Sequence, residues 1–128
     1  LNPMTDLREL TSRYPHIELI ENPEEEVLQG LIKNAHINCL YTHQGTGLKL
    51  KLLNALFAGR FCLVNDLMLV GTGLEKACEI ANDPTDFVSR VNQLMEITFS
   101  EDQIETRKNL LKPFDVTENA LEIVKLLQ

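Results

Sequence analysis

The chain has 128 residues, 44 % of them hydrophobic, with twelve Lys+Arg against nineteen Asp+Glu and a formal net charge of −7. This suits one globular domain with a sizeable core and excludes a disordered chain. The acid excess argues against a module that grips nucleic acid through its phosphates or adheres to an anionic membrane, and no apolar run nears the roughly 18 residues of a membrane span.

Helix and strand signals then alternate along the chain. Thr5 is the expected N-cap of a short helix over 6–13, ended by Tyr14-Pro15 because the residue before proline avoids helical angles. Asp6, Arg8 and Glu9 in this stretch argue against a signal peptide. Residues 17–20 read as a first strand. Asn22-Pro23-Glu24-Glu25-Glu26 reads as a helix start, with Asn22 as cap, Pro23 at the first position and acids on the positive dipole end. Val27, Leu28, Leu31, Ile32 and Ala35 continue that helix at helical spacing. Residues 37–42 form a second expected strand, followed by the polar turn His43-Gln44-Gly45-Thr46-Gly47. The most apolar helix follows over 48–58, with Gly59 expected as its C-terminal cap. Residues 61–65 are a third strand, apolar enough for a sheet covered on both faces.

Residues 66–73 read as a loop and 74–81 as a short helix or a helix-to-strand step. Asp83-Pro84 begins a helix carrying Phe87, Val88, Val91, Leu94 and Met95; Ser100 caps another through Leu111; Pro113 breaks it; residues 115–127 form a last amphipathic helix. The odd cysteines Cys39, Cys62 and Cys78 have no C-x-x-C spacing. They are expected to be free thiols of a cytoplasmic protein, with Cys39 and Cys62 buried in apolar strands. His16, His36 and His43 have no metal-ligand spacing, so no metal is expected.

Strands separated by helices imply right-handed crossovers and a parallel sheet sandwiched between helices, with ligands bound beyond the carboxyl ends of the strands. That directs attention to 42–47 and 65–73. A strand, a glycine turn and a helix N-terminus make an anion site, since backbone N–H groups and the helix dipole both favour negative charge. Gly47, Lys51 and Asn54 share a face at i, i+4 and i+7, whereas Lys49 lies about 200° from Lys51 at about 100° per residue. Lys51 is therefore the expected phosphate partner, and Asn54 can hydrogen-bond a ribose. The competing reading of both is a solvated lysine and a tolerated amide, and a Gly-x-Gly turn before a helix is often purely structural.

The run Gly45-Thr46-Gly47-Leu48-Lys49-Leu50-Lys51-Leu52-Leu53-Asn54-Ala55-Leu56-Phe57-Ala58-Gly59-Arg60 resembles the donor-binding segment of group 1 (family 4) glycosyltransferases of the GT-B fold, some of which carry Gly-x-Gly-Ile-Lys-x-Lys-x-Leu-Glu-Ala-x-x-x-Gly. The likeness extends from Ile17 to Met95, through the helix-to-strand step at 28–40 and the loop at Gly73-Leu74-Glu75. It implies a Rossmann-like three-layer αβα sandwich with a short parallel sheet. The whole of 1–128 would be the single C-terminal domain of a longer two-domain chain that starts after the domain's first strand, with 100–128 as terminal helices. It further implies a nucleotide-diphosphate sugar bound by His43, Gln44, Gly45, Thr46, Gly47, Lys51 and Asn54, with no other cofactor. The intact protein would transfer a hexosyl group to a saccharide or lipid-linked acceptor, as in polysaccharide biosynthesis, held by its own N-terminal domain. The isolated chain would be inactive because the cleft needs both domains. Thr46 and Asn54 stand where the family often has two glutamates, contacting the donor sugar and the ribose. The alternative is a non-catalytic α/β partner-binding or receiver-like module; a receiver would want an acidic cluster, and Asp66 alone stands at a strand end.

Overall fold

In the computed structural model, which describes residues 3–46 and 49–127, seven α-helices accompany a three-stranded parallel sheet. Helix α1 (Pro3–Ser12) begins earlier than expected: Pro3, with its φ already fixed near helical values, takes the first position, and Thr5 falls inside the first turn rather than capping it. Helix α2 (Glu25–Asn34) begins later. Asn22 adopts a left-handed φ of 46° to turn the chain, and Glu24, still extended, is the N-cap in its place and makes no side-chain cap bond.

Residues 17–20, expected as a strand, pair with no strand among the described residues. They form a surface connector between α1 and α2. Ile17 N–H turns back to Tyr14 O (2.9 Å), and Arg8 grips Glu21 with two hydrogen bonds of 2.7 and 3.0 Å, which holds the segment to the helix before it. The strands are β1 (Ile37–Leu40), β2 (Phe61–Val64) and β3 (Glu79–Ile80), in the order β1-β2-β3. Ile37 aligns with Phe61 and Leu63 with Glu79. A parallel sheet of three strands meets the expectation of a short sheet. It leaves β1 at one edge and β3 at the other.

Burial follows from that order. The central strand β2 is buried at all four positions, as its unbroken run of apolar residues requires. On one face Cys62 and Val64 join the main core with Leu52, Ala55 and Leu56 of helix α3 (Leu50–Ala58) and Leu111 of helix α6 (Glu101–Leu111). On the other face helix α5 (Pro84–Met95) lies against the sheet: Arg90 pairs with Glu79 (3.6 Å), and the Leu94 carbonyl meets His36 Nε2 (2.8 Å) just before β1. Cys39 is exposed, contrary to the buried thiol expected, because β1 is an edge strand and its outward alternate positions are only partly covered.

The segment read as a loop after β2 contains a one-turn helix α4 (Asp66–Leu69), formed because Met68 and Leu69 dock into the core. Gly71 and Gly73 then take φ of 75° and 69°, closing a turn that a side chain would strain. A 3-10 turn (Glu75–Ala77) steps into β3, as expected of 74–81. Helix α5 starts as read, with Asp83 accepting from Asp86 N–H (2.8 Å) and Pro84 in the first turn. Helix α6 opens on a reciprocal capping box between Ser100 and Gln103. Pro113 ends it in a second 3-10 turn (Lys112–Phe114), and helix α7 (Val116–Leu127) follows.

Gly59 closes α3 as its C-terminal cap, as expected, without a left-handed conformation. Its φ is −99° and its ψ −176°, an extended conformation open to any residue. Glycine is required there for space: a Cβ would collide with the Asn38 side-chain amide and lie 2.8 Å from Ala55 O.

Candidate functional site

The carboxyl ends of the three strands are tied together by two side-chain amides. Strand β1 ends two residues sooner than expected because the Thr42 N–H donates to Asn65 Oδ1 (3.2 Å) instead of to a neighbouring strand. Asn65 Nδ2 donates back to Thr42 O (2.7 Å), and the Asn65 side chain is buried. One strand further on, Asp66 N–H donates to Asn82 Oδ1 (2.8 Å) and Asn82 Nδ2 to Asp66 Oδ2 (2.7 Å). Asn65 immediately follows β2, Asn82 stands two residues past the end of β3, and each precedes an aspartate, a repeated Asn-Asp signal that pattern reading passed over.

Above the first clamp stands the 43–46 turn. Thr42 Oγ1 accepts from Gln44 N–H (3.1 Å) and lies 3.2 Å from Gln44 O, a side-chain turn that sets the exit from β1. His43 packs edge-on against Tyr41, ring centroids 5.4 Å apart, and both are exposed. Gly45 is half-buried against α4: a Cβ there would lie 3.3 Å from Leu67 Cδ2 and 3.6 Å from Val70 Cγ2. Thr46 is exposed, and Gly47 and Leu48 lie outside the described residues.

The turn leads into α3, whose N-cap is Lys49. Lys49 offers no side-chain cap to the first amides, and no acidic residue stands in the first turn. Among the described residues, the first amides of α3 thus receive no cap from Lys49, and no acid in the first turn opposes an anion there. The Lys49 ammonium donates to Gln44 O (3.2 Å) and Leu67 O (3.3 Å), bridging the turn to α4. It reaches the strand ends because the chain is not yet regular helix at Lys49, where φ is −96° and ψ 52°; helical-wheel arithmetic does not extend to such a residue. Lys51 sits in the first turn of α3 and is exposed. Asn54 is half-buried, and its Oδ1 accepts from Gln29 Nε2 of α2 (3.1 Å), so its carbonyl is engaged in joining two helices.

The structure thus brings His43, Gln44, Gly45 and Thr46 together beyond β1, adds Lys49 and the start of α4, and leaves Asn54 one to two turns along α3 at the α2 contact. Two cavities, of about 180 and 430 Å³, are lined by other residues, around Cys62, Cys78 and Arg107 and around Leu111 and Lys112. Among the described residues no group of three or more His, Cys, Asp or Glu is placed to hold a metal, and no helix is long and apolar enough to cross a membrane. No family model, curated protein or solved structure matches the chain.

Proposed function

We propose that this domain is the donor-binding half of a glycosyltransferase, built as a Rossmann-like αβα unit, that holds a nucleotide-diphosphate sugar for hexosyl transfer. The observation that carries the reading is the order of elements at the candidate site: a strand end, the 42–46 turn, and a helix whose first amides receive no side-chain cap. That arrangement suits a diphosphate, whose charge backbone N–H groups and a lysine can neutralise without a metal. Lys51 supplies the positive charge to the phosphates, while Lys49 shapes the turn that receives them. Asn54 meets the ribose through its amide nitrogen, its oxygen being held by Gln29. The N-terminal domain of the intact protein presents the saccharide or lipid-linked acceptor, and the activity belongs to that cytoplasmic whole.

A second reading, a non-catalytic partner-binding module, draws on the apolar side chains left open along α1 and α2: Leu10 is 51 % exposed, Val27 50 % and Leu31 43 %. Calorimetric titration with uridine and guanosine diphosphates separates the two. The donor reading expects saturable binding of one of them, weakened by Lys51→Ala by about 1–3 kcal/mol, the scale of a charge-assisted hydrogen bond. Failure of both nucleotides to bind at millimolar concentration overturns it in favour of the module. A loss on Lys49→Ala with none on Lys51→Ala reassigns the phosphate-facing lysine.

A further inference from the structure

At the opposite end of the sheet from the 42–46 turn, Cys62 and Cys78 stand beside each other. The β2–β3 register pairs Leu63 with Glu79, and one step back along it Cys62 stands beside Cys78. Neighbouring strands run about 4.7–4.9 Å apart, inside the Cα–Cα range of about 4.4–6.8 Å that a disulfide spans. Alternation along a strand puts both side chains on the same face, close enough for each thiol to shift the other's titration. Both line the cavity of about 180 Å³, which has far more room than one water needs, with Cys78 half-buried and Cys62 1 % exposed at its wall.

Arg107 completes the cluster. It lines the same cavity, is 7 % exposed, and is fixed by Nη1 donating to Gly59 O (2.8 Å) and Leu56 O (3.4 Å), with its guanidinium 4.6 Å from the centre of the Phe99 ring. No carboxylate pairs with it among the described ion pairs. The Cys78 S–H bond and the nearby guanidinium draw the Cys62 thiol below its ordinary range against the opposing effect of burial. Cys78 is pushed up, first by that same bond and then by burial. That asymmetry makes Cys62 the better attacking sulfur and Cys78 the partner that follows it.

We propose that Cys62 and Cys78 are a redox-active dithiol that hydrogen peroxide oxidises to an intrachain disulfide. The Cys62 thiolate attacks one peroxide oxygen; an S–O bond forms, the O–O bond breaks, and hydroxide leaves, giving a sulfenic acid. The Cys78 sulfur then attacks the Cys62 sulfur; an S–S bond forms, the S–O bond breaks, and water leaves with the proton that Cys78 gives up. Two thiols lose two electrons and one peroxide becomes two waters. A dithiol or thiol reductant returns the pair to its starting state.

The test uses the native chain with all three cysteines. It is exposed to graded hydrogen peroxide, quenched with N-ethylmaleimide, digested with trypsin without reductant, and analysed by mass spectrometry. Lys76 lies between the two cysteines, so cleavage there puts them on separate peptides. The expected product is one cross-linked pair of the Cys62 and Cys78 peptides, two hydrogens lighter than the free thiols, that dithiothreitol reverses, while exposed Cys39 remains available to the maleimide. Cys78→Ser should abolish the cross-link and leave a sulfenic acid at Cys62 that dimedone traps. Recovery of both peptides from the native chain as separate maleimide adducts, or over-oxidation of either cysteine with no cross-link, overturns the proposal. If Cys78→Ser does not fold by circular dichroism, the native cross-link alone decides.

Discussion

Replacing Asn65 tests whether the strand ends are held by side chains rather than by the ladder. Asn65→Ala removes an acceptor for Thr42 N–H and a donor to Thr42 O, bonds of 3.2 and 2.7 Å. A buried backbone group left unpaired costs about 1–3 kcal/mol. Thr42 is only half-buried, so water recovers part of that for its N–H and C=O. The Asn65 side chain is 4 % exposed, so its removal also leaves a small void. Together these place the loss at about 2–3 kcal/mol. With a urea m-value of about 1–3 kcal/mol/M, the midpoint should fall by about 0.7–3 M. Urea unfolding followed by circular dichroism measures it, and hydrogen exchange at the Thr42 amide reports the local effect. A loss below about 0.5 kcal/mol, the level of an ordinary surface substitution, with Thr42 protection unchanged, would refute the argument.

Other outcomes follow from the same reasoning. Gly59→Ala should destabilise by about 1–3 kcal/mol through overpacking against Asn38 and Ala55 O, and Asn38→Ala should relieve part of it in a double-mutant cycle; additive effects would show that the crowding is not at Asn38. Ser100→Ala should cost about 0.5–2 kcal/mol in urea unfolding, because it breaks a capping box that both partners complete. Leu52→Ala, at a side chain with no exposure, should cost about 2–5 kcal/mol, measured the same way.

Much of this architecture was legible because local chemistry and global packing agree. The apolar run at 61–64 becomes the buried central strand, and Asp83-Pro84 and Ser100 start helices as their capping chemistry requires. The helix following the glycine turn forms as its apolar spacing implies. The failures lie where tertiary contacts outweigh local pattern. Residues 17–20 have strand composition, but the Arg8–Glu21 bridge holds them at the surface. Residues 66–69 look like a loop until the core takes up Met68 and Leu69. At the candidate site, a polar turn just past the end of a strand could be read from the sequence. The clamping asparagines and the inward reach of Lys49 could not, because a polar side chain gives no periodic signal and its partner lies 16 to 23 residues away.

The paired asparagine clamps also set a mechanical boundary. Strands of four, four and two residues have few ladder bonds to lose, and fraying from their ends would dissolve such a sheet quickly. Because Asn65 and Asn82 lock the last backbone positions, fraying stops at Thr42 and Asp66. A change in residues 43–46 would then leave the clamped strand ends beneath them in place. Amide exchange should step sharply across Thr42, fast on the turn side and slow on the strand side, with two side chains acting as the hinge pins between an adaptable rim and a fixed floor.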